Sequence, residues 1–153
     1  MTAEEITAEM TAAIQQLRGG DRAGGRQALE VVWAKIADDP EPMHECVLAH
    51  HMADAQDDLT DELAWDVRAL DAALRCGPTT TWGPQQGLSI GLFMPSLHVN
   101  LAEDYFKLGD PARSREHLAL AREFVGDLAD DAYGQLIRRG IERLARQLDA
   151  AGA

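Results

Sequence analysis

The chain has 153 residues, the size of one domain, and its 26 acidic and 14 basic residues give a net charge of -12 at pH 7. This balance argues against a protein that mainly binds nucleic acid or an anionic membrane, because phosphate contacts need clustered Lys and Arg. Alanine and leucine contribute 25 and 18 residues, whereas valine and isoleucine together contribute 12. Small and straight-chain residues favour helix over sheet. The composition therefore predicts an acidic, all-α protein.

The two cysteines, Cys46 and Cys76, form neither a CxxC pair nor a metal-finger spacing. So few cysteines in a chain of this length argue against a disulfide framework. The first ten residues, MTAEEITAEM, carry acid where a signal peptide needs positive charge. The longest strongly apolar stretch, 88–94, is too short to span a bilayer. We therefore expect a cytoplasmic protein with no membrane segment.

Four helices are predicted before residue 77 from their capping residues and from apolar residues spaced three or four apart. They cover about 3–17, 22–38, 42–55 and 60–76, and Asp21 is placed to cap the second. The expected apolar face of the fourth helix consists of Leu63, Val67, Leu70 and Leu74.

Residues 77–94 contain three glycines before Ile90, two prolines and three threonines, a composition that interrupts a helix. Helical spacing resumes at Pro95 and continues to Leu108. Asp110-Pro111 then marks a strong helix start, an N-cap followed by proline at the first helical position. A seventh helix is predicted over about 128–148. The second half of the chain is thus expected to hold an 18-residue insertion and three helices.

The predicted helices align as a repeat. When Ala13, Ala49 and Ala102 are superposed, the turns Gly20-Asp21 and Gly109-Asp110 also coincide. The same alignment places Gly25 with Ser114 and Leu29 with Leu118; the middle repeat needs about two extra residues in its turn.

The stretch LHVNLAEDYFKLGDPARSREHLALAREF, residues 97–124, resembles a tetratricopeptide repeat. It has the leucine-small pair Leu101-Ala102, then Tyr105, the turn at Gly109-Asp110, and small residues at Ser114 and Ala121. The stretch AAIQQLRGGDRAGGRQALEVVW is similar but lacks the aromatic residue, and the middle repeat is degenerate.

The resemblance implies an α-α superhelix of about three hairpins, over 3–39, 42–76 and 95–126, within one domain of residues 1–153. Small residues at the crossing let two antiparallel helices approach closely, and stacked hairpins bury the faces that one hairpin leaves open. The helix at 128–149 would cap the array. Its outward face would hold Arg138, Arg139, Arg143 and Arg146.

The resemblance also implies a concave groove that binds peptides and is lined by the first helix of each hairpin. The corresponding positions are Met10, Ile14, Leu17, Arg18, Cys46, His50, Ala53, Asp54, Val99, Glu103, Phe106 and Lys107. A clamp for a terminal carboxylate is not expected, because Met10 and Ile14 stand where it needs polar groups. We expect a protein- or peptide-binding scaffold without catalysis or cofactor, for a cationic or apolar segment and not for nucleic acid or a membrane. Self-association is left open.

An alternative is a small helical metal-binding protein or enzyme. His50 and Asp54 are four residues apart on one helix face, a spacing suited to two metal ligands, and Glu103 or Asp57 could supply a third. No GxSxG or phosphate-loop motif is present. The other histidines (His44, His51 and His117) are expected at the surface or in turns, and Cys46 as a buried, inert thiol. A nucleic-acid regulator using 138–146 is disfavoured by charge.

The insertion is long for a connection between helices, and it carries large apolar side chains, among them Trp82 and Phe93. Two interpretations remain: these side chains complete the core, or part of the insertion lies in the groove or forms an apolar patch for a partner or a second subunit. Charge is also uneven, with a net of -10 over 1–75 and -2 over 76–153. Most of these charges are expected to belong to an ordinary solvated surface, and the asymmetry would also suit a cationic partner or head-to-tail association.

Overall fold

The structure, a computed structural model, describes residues 1–77, 80–82 and 88–152 and is all-α, as predicted. Its helices are α1 Ala3–Arg18, α2 Arg22–Ile36, α3 Pro42–Asp54, α4 Leu59–Leu74, α5 Ile90–Lys107, α6 Pro111–Phe124 and α7 Ala132–Ala150. Two short antiparallel strands, β1 Thr81–Trp82 and β2 Leu88–Ser89, precede α5. Among the described residues, no helix is both long and apolar enough to cross a membrane.

Polar caps set the starts of most helices. The Thr2 hydroxyl accepts a hydrogen bond from the Glu5 N–H, and the Glu5 carboxylate accepts one from the Thr2 N–H, which forms a capping box for α1. Asp21 caps α2 by accepting from the Gly24 N–H at 3.0 Å, as predicted. Asp110 caps α6 by accepting from the Arg113 N–H at 3.1 Å, which confirms the predicted helix start.

The predicted starts of α5 and α7 were wrong. The Ser89 hydroxyl caps α5 by accepting a hydrogen bond from the Leu92 N–H. Residues 90–94 therefore belong to the helix, and Pro95 lies inside it. The missing N–H of Pro95 affects only the carbonyl of Gly91, an exposed residue. Before α7, a 3-10 turn at Val125–Asp127 is followed by extended chain, and Asp131 caps the helix.

The chain divides into two compact units, Met1–Cys76 and Gly77–Ala153. The first unit consists of two hairpins, α1 with α2 and α3 with α4. Helix α3 contacts the other three helices of this unit, and ten of its thirteen residues are buried. It therefore forms the centre of the unit, which explains why its sequence has no clear polar face.

The second unit consists of the α5–α6 hairpin with α7 packed against both helices. Its core is continuous and contains Val99, Ala102, Leu118, Ala121, Leu128, Ile137, Ile141, Leu144 and Leu148. The Arg138 guanidinium of α7 donates hydrogen bonds to the carbonyl oxygens of Val125, Leu128 and Ala129, in the segment that precedes the helix. Arg138 therefore orders the turn before α7 and is not a freely exposed charge, contrary to its expected place on the outward face.

The residues that the repeat alignment matched are buried at close helix crossings. Ala13, Ala49 and Ala102 are each at most 2% exposed. A Cβ on Gly25 would lie 2.7 Å from the Leu17 Cα, so only glycine fits that crossing of α1 and α2. Gly20 and Gly109 both adopt a left-handed backbone, with φ of 101° and 81°. The turn between α3 and α4, residues 55–58, is one residue longer than the turns of the other two hairpins, whereas about two extra residues were predicted.

Candidate functional site

Helix α4 presents its large apolar side chains to solvent, which corrects the predicted orientation. Its buried face consists of Asp66, Ala69, Ala72 and Ala73. The expected apolar face is exposed or half-buried instead, with Val67 46% and Leu74 68% exposed. Single exposed leucines are common, whereas several along one helix form a continuous exposed apolar line.

We call these residues the α4 stripe; its members are Leu59, Leu63, Val67, Leu70 and Leu74. They follow one another at intervals of three or four, so they lie along one line of the helix over about 22 Å. Leu59 is 37% exposed, and Leu63 and Leu70 are half-buried. This length and spacing suit the apolar face of a second helix.

Carboxylates surround the start of the α4 stripe. Asp58 caps α4 through the N–H groups of Thr60 and Asp61. Asp57 lies 3.2 Å from Arg22 in an ion pair but keeps 81% of its side chain exposed. Asp61 is also exposed. A partner helix on the stripe would therefore meet negative charge at this end.

Two arginines hold α4 against α3. The Glu45 carboxylate is buried in α3, and its two oxygens accept from Arg68 at 3.1 Å and Arg75 at 2.5 Å. The Glu45 hydrogen bond raises the pKa of Arg75 further above its ordinary value. Both guanidinium groups thus bind one carboxylate of α3, and these contacts tie α4 to α3.

An aromatic contact joins α2 to the same helix. The rings of Trp33 and Trp65 meet edge to face, with centroids 5.7 Å apart. The Arg68 guanidinium lies 5.1 Å from the Trp33 ring centroid and 5.7 Å from that of Trp65. The helix that carries the α4 stripe is therefore held by contacts with both α2 and α3.

The predicted groove residues of the first unit are only partly accessible. Ile14 is 8% exposed and belongs to the core, so the expectation that it faces an open groove is not met. Arg18 is exposed, and its guanidinium lies 3.4 Å from Nε2 of His51. His50 is half-buried and Asp54 is exposed, both on α3.

His51 and His44 are buried, which contradicts their expected surface positions. Nδ1 of His51 donates to the Val47 carbonyl at 2.9 Å, so Nε2 is left as an acceptor toward Arg18. Nε2 of His44 lies 3.1 Å from the Thr7 hydroxyl. Burial lowers the pKa of both imidazoles. Local sequence gave no sign of this, because α3 is enclosed by helices that are distant in the chain.

The residues of the alternative metal site lie in different units, His50 and Asp54 in the first and Glu103 in the second. Burial, followed by the charges of His51 and Arg18, lowers the pKa of His50 to about 3, so its ring is neutral. Among the described residues, no third His, Cys or carboxylate ligand joins His50 and Asp54. Glu103 lies in the second unit, where its carboxylate accepts from Arg143 at 3.2 Å. This alternative remains a prediction.

The predicted groove residues of the second unit lie on α5. Val99 is part of the core and meets α7, so it too is closed to a peptide. Phe106 packs against the same core, and Glu103 binds Arg143 of α7. Lys107 is exposed. Most of the α5 face expected to bind a ligand is thus occupied by the chain's own C-terminal helix.

An aromatic column in the second unit contains the two remaining histidines. His98 and His117 stack, with their Nδ1 atoms 3.1 Å apart, and Tyr105 and Phe124 stack on the two ends. Burial, followed by the neighbouring His117, lowers the pKa of His98 to about 4. His117 is half-buried rather than fully exposed, and burial lowers its pKa as well.

The insertion at 77–94 is described in part, since 78–79 and 83–87 lie outside the described residues. Trp82 is half-buried on β1. Phe93 lies in α5 and is 5% exposed, like the neighbouring Ile90 and Met94. The Phe93 side chain therefore belongs to the core and is not an accessible partner contact.

Cys46 is fully buried as a free thiol, as predicted, and burial raises its pKa to about 12. It is therefore inert as a nucleophile near neutral pH. Cys76 is also a free thiol and is half-buried; burial likewise raises its pKa.

No family model matches the chain, and comparisons with curated proteins and with solved structures found no match.

Proposed function

We propose that the chain is a protein-binding scaffold without catalysis, built from tetratricopeptide-like hairpins, and that the α4 stripe is its docking surface. The observation that supports this most strongly is the exposure of Val67 and Leu74 on a helix whose alanines are buried. Burying such side chains against a partner gains roughly 25 cal/mol for each Å² of apolar area.

The hairpin packing supports the architectural part of the proposal. Gly25 and Ser114 are aligned positions of the first and third hairpins, and each makes a close contact with the preceding helix, Gly25 with Leu17 and Ser114 with Ala102. Repeated hairpins of this kind commonly serve as binding scaffolds. We also propose that the three hairpins form a superhelical array. We propose a cytoplasmic location as well, because free thiols such as those of Cys46 and Cys76 suit a reducing compartment.

The partner we infer is an amphipathic helix with an apolar face and basic residues toward one end. The line of the α4 stripe suits helix-on-helix packing, in which apolar residues repeat every three or four positions. The carboxylates of Asp57, Asp58 and Asp61 would attract the basic end and fix the direction of the bound helix.

The test is a binding measurement with a synthetic amphipathic helix of about 20 residues. It carries leucines along one face and lysines at one end, and its fluorescence anisotropy is followed as protein is added. A peptide of the same composition with its leucines distributed around the helix is the control. Wild-type protein is expected to bind the first peptide and not the second.

Matched variants locate the surface. Val67→Gln with Leu74→Gln is expected to weaken binding by about tenfold or more, equivalent to ~1.4 kcal/mol, with an unchanged melting temperature. Val31→Gln with Leu120→Gln changes two exposed apolar residues elsewhere and should leave binding as it is. Equal affinity for both peptides, or full binding by the first variant, contradicts the proposal.

A further inference from the structure

Helix α7 presents a basic outward face, in contrast to the acidic net charge of the chain. Arg139, Arg143 and Arg146 lie along this face, and Leu136, which is 60% exposed, precedes them on it. Among the residues that line this face, only Glu142 carries a carboxylate. We call these residues the α7 ridge; its members are Leu136, Arg139, Arg143 and Arg146.

Two of these arginines are unengaged. Arg139 and Arg146 are exposed and form no ion pair with any residue in the described part of the chain. Arg143 pairs with Glu103 but keeps 62% of its side chain exposed. The α7 ridge is therefore a basic face with one exposed apolar side chain at its start, and two of its three arginines have no ion-pair partner among the described residues.

A groove in the first unit has the opposite character. It has a volume of about 890 Å³ and lies between the start of α1 and the chain that joins α2 to α3. Its carboxylates belong to Glu5, Glu9, Asp38, Asp39 and Glu41. We call it the acidic groove. Its volume is that of a binding cleft.

The acidic groove also has apolar lining and unpaired charge. Ile6 and Ile36 line it, so Leu136 would find apolar contacts there. Lys35 neutralises Glu9 at 2.9 Å, whereas Asp38 and Asp39 are exposed and have no ion pair within the described residues. Two free carboxylates in the groove thus correspond to two free arginines on the α7 ridge.

We propose that the α7 ridge of one molecule docks into the acidic groove of a second copy. Like charge disfavours ridge against ridge and groove against groove, whereas ridge against groove brings opposite charges together beside an apolar contact. The contact is heterologous, so a pair of molecules keeps one free ridge and one free groove, and the assembly can grow or close into a ring. This inference does not depend on the α4 stripe.

Sedimentation velocity of the full chain over a range of concentrations tests this. Wild-type protein is expected to form species larger than the monomer, and these should diminish with added salt, because salt screens exposed charges. Arg139→Glu and Arg146→Glu should each weaken association. Arg122→Glu makes the same charge change on the exposed face of α6 and should have no effect.

Mixing two defective variants separates this contact from other forms of self-association. Arg139→Glu with Arg146→Glu leaves the groove intact, and Asp38→Lys with Asp39→Lys leaves the ridge intact. Each double variant should sediment as a monomer, with the circular dichroism and melting temperature of the wild type. Their mixture should form a complex, because the intact ridge of one meets the intact groove of the other.

Three results would overturn the proposal: a wild-type chain that is monomeric throughout, association that Arg146→Glu and Arg122→Glu change equally, or a mixture that stays monomeric. Binding of a nucleic acid by the ridge of a monomeric protein would likewise assign that face to another partner. If the peptide experiment fails while the mixture associates, only the docking role of the α4 stripe is lost.

Discussion

The Ser114 hydroxyl of α6 donates to the Ala102 carbonyl of α5 at 2.7 Å, and both residues are fully buried. Such a contact requires the two helices to lie very close together. The hydrogen bond also satisfies a hydroxyl that would otherwise be costly to bury. The α5–α6 crossing thus depends on two small residues at a single point.

Replacing Ala102 with leucine is expected to lower the free energy of unfolding by about 1–3 kcal/mol, because extra methylenes overpack the crossing. Ala119→Leu adds the same atoms on the exposed face of α6 and should change stability by less than about 0.5 kcal/mol. Urea denaturation measures both. Equal midpoints for the two variants would show that the crossing lies elsewhere.

Gly25→Ala is expected to destabilise the protein although alanine is the better helix former. The added Cβ would lie within 2.7–2.8 Å of three Leu17 atoms, two of which are backbone atoms that cannot rotate away. The strain should outweigh the gain of about 1 kcal/mol in helix propensity. Gly91→Ala is the matched control, since nothing lies within 4 Å of its added Cβ and stability should rise. Thermal denaturation of both variants decides the sign.

Glu45→Gln is expected to cost about 1–3 kcal/mol, because it removes charge-assisted hydrogen bonds to Arg68 and Arg75. The loss is smaller than for a fully buried pair, since both guanidinium groups remain about half exposed. A double-mutant cycle with Arg75→Gln measures the coupling. A coupling energy of zero would mean that Glu45 does not hold α4 in place.

Stability should fall on acidification below about pH 6.5. Burial lowers the pKa of all five histidines in the folded state, with His50 at about 3 and His98 at about 4. The unfolded chain therefore binds protons at higher pH than the folded chain does. By linkage, the stabilisation is complete above the unfolded pKa and is lost as pH falls toward the folded pKa.

Each such histidine removes about 1.4 kcal/mol per pH unit once the unfolded state is protonated and the folded state is not. His50 and His98 together should therefore lower the free energy of unfolding by roughly 2–3 kcal/mol per unit between about pH 6 and 4. Urea titrations at several pH values measure this slope. His98→Phe should reduce the slope, and an unchanged slope would show that His98 titrates alike in both states.

The sequence was enough to predict the helical fold and most helix boundaries, because caps and apolar spacing are local. Asp21 and Asp110 marked helix starts, and the glycines at 20 and 109 marked the turns. The start of α5 was missed because Pro95 resembles a first helical residue. The Ser89 cap that overrides it is a weaker signal.

The orientation of α4 was mispredicted because large apolar residues were assigned to the core and alanines were ignored. The buried alanines at 13, 49 and 102 contained the missing signal, since small residues mark close crossings. By that rule Ala69, Ala72 and Ala73 belong inside. The enclosure of α3, and with it the burial of His44 and His51, depends on contacts between distant segments that a local pattern does not record.

The central claim, that the exposed α4 stripe binds a partner helix, is tested most directly by NMR chemical-shift mapping. The ¹⁵N-labelled protein is titrated with the amphipathic peptide that carries its leucines on one face. The amide shifts are expected to follow the exposed line of α4, near Leu59, Val67 and Leu74, and to disappear in Val67→Gln with Leu74→Gln. Shifts confined to Arg18, His50 and Asp54, or no shifts at all, would contradict this claim.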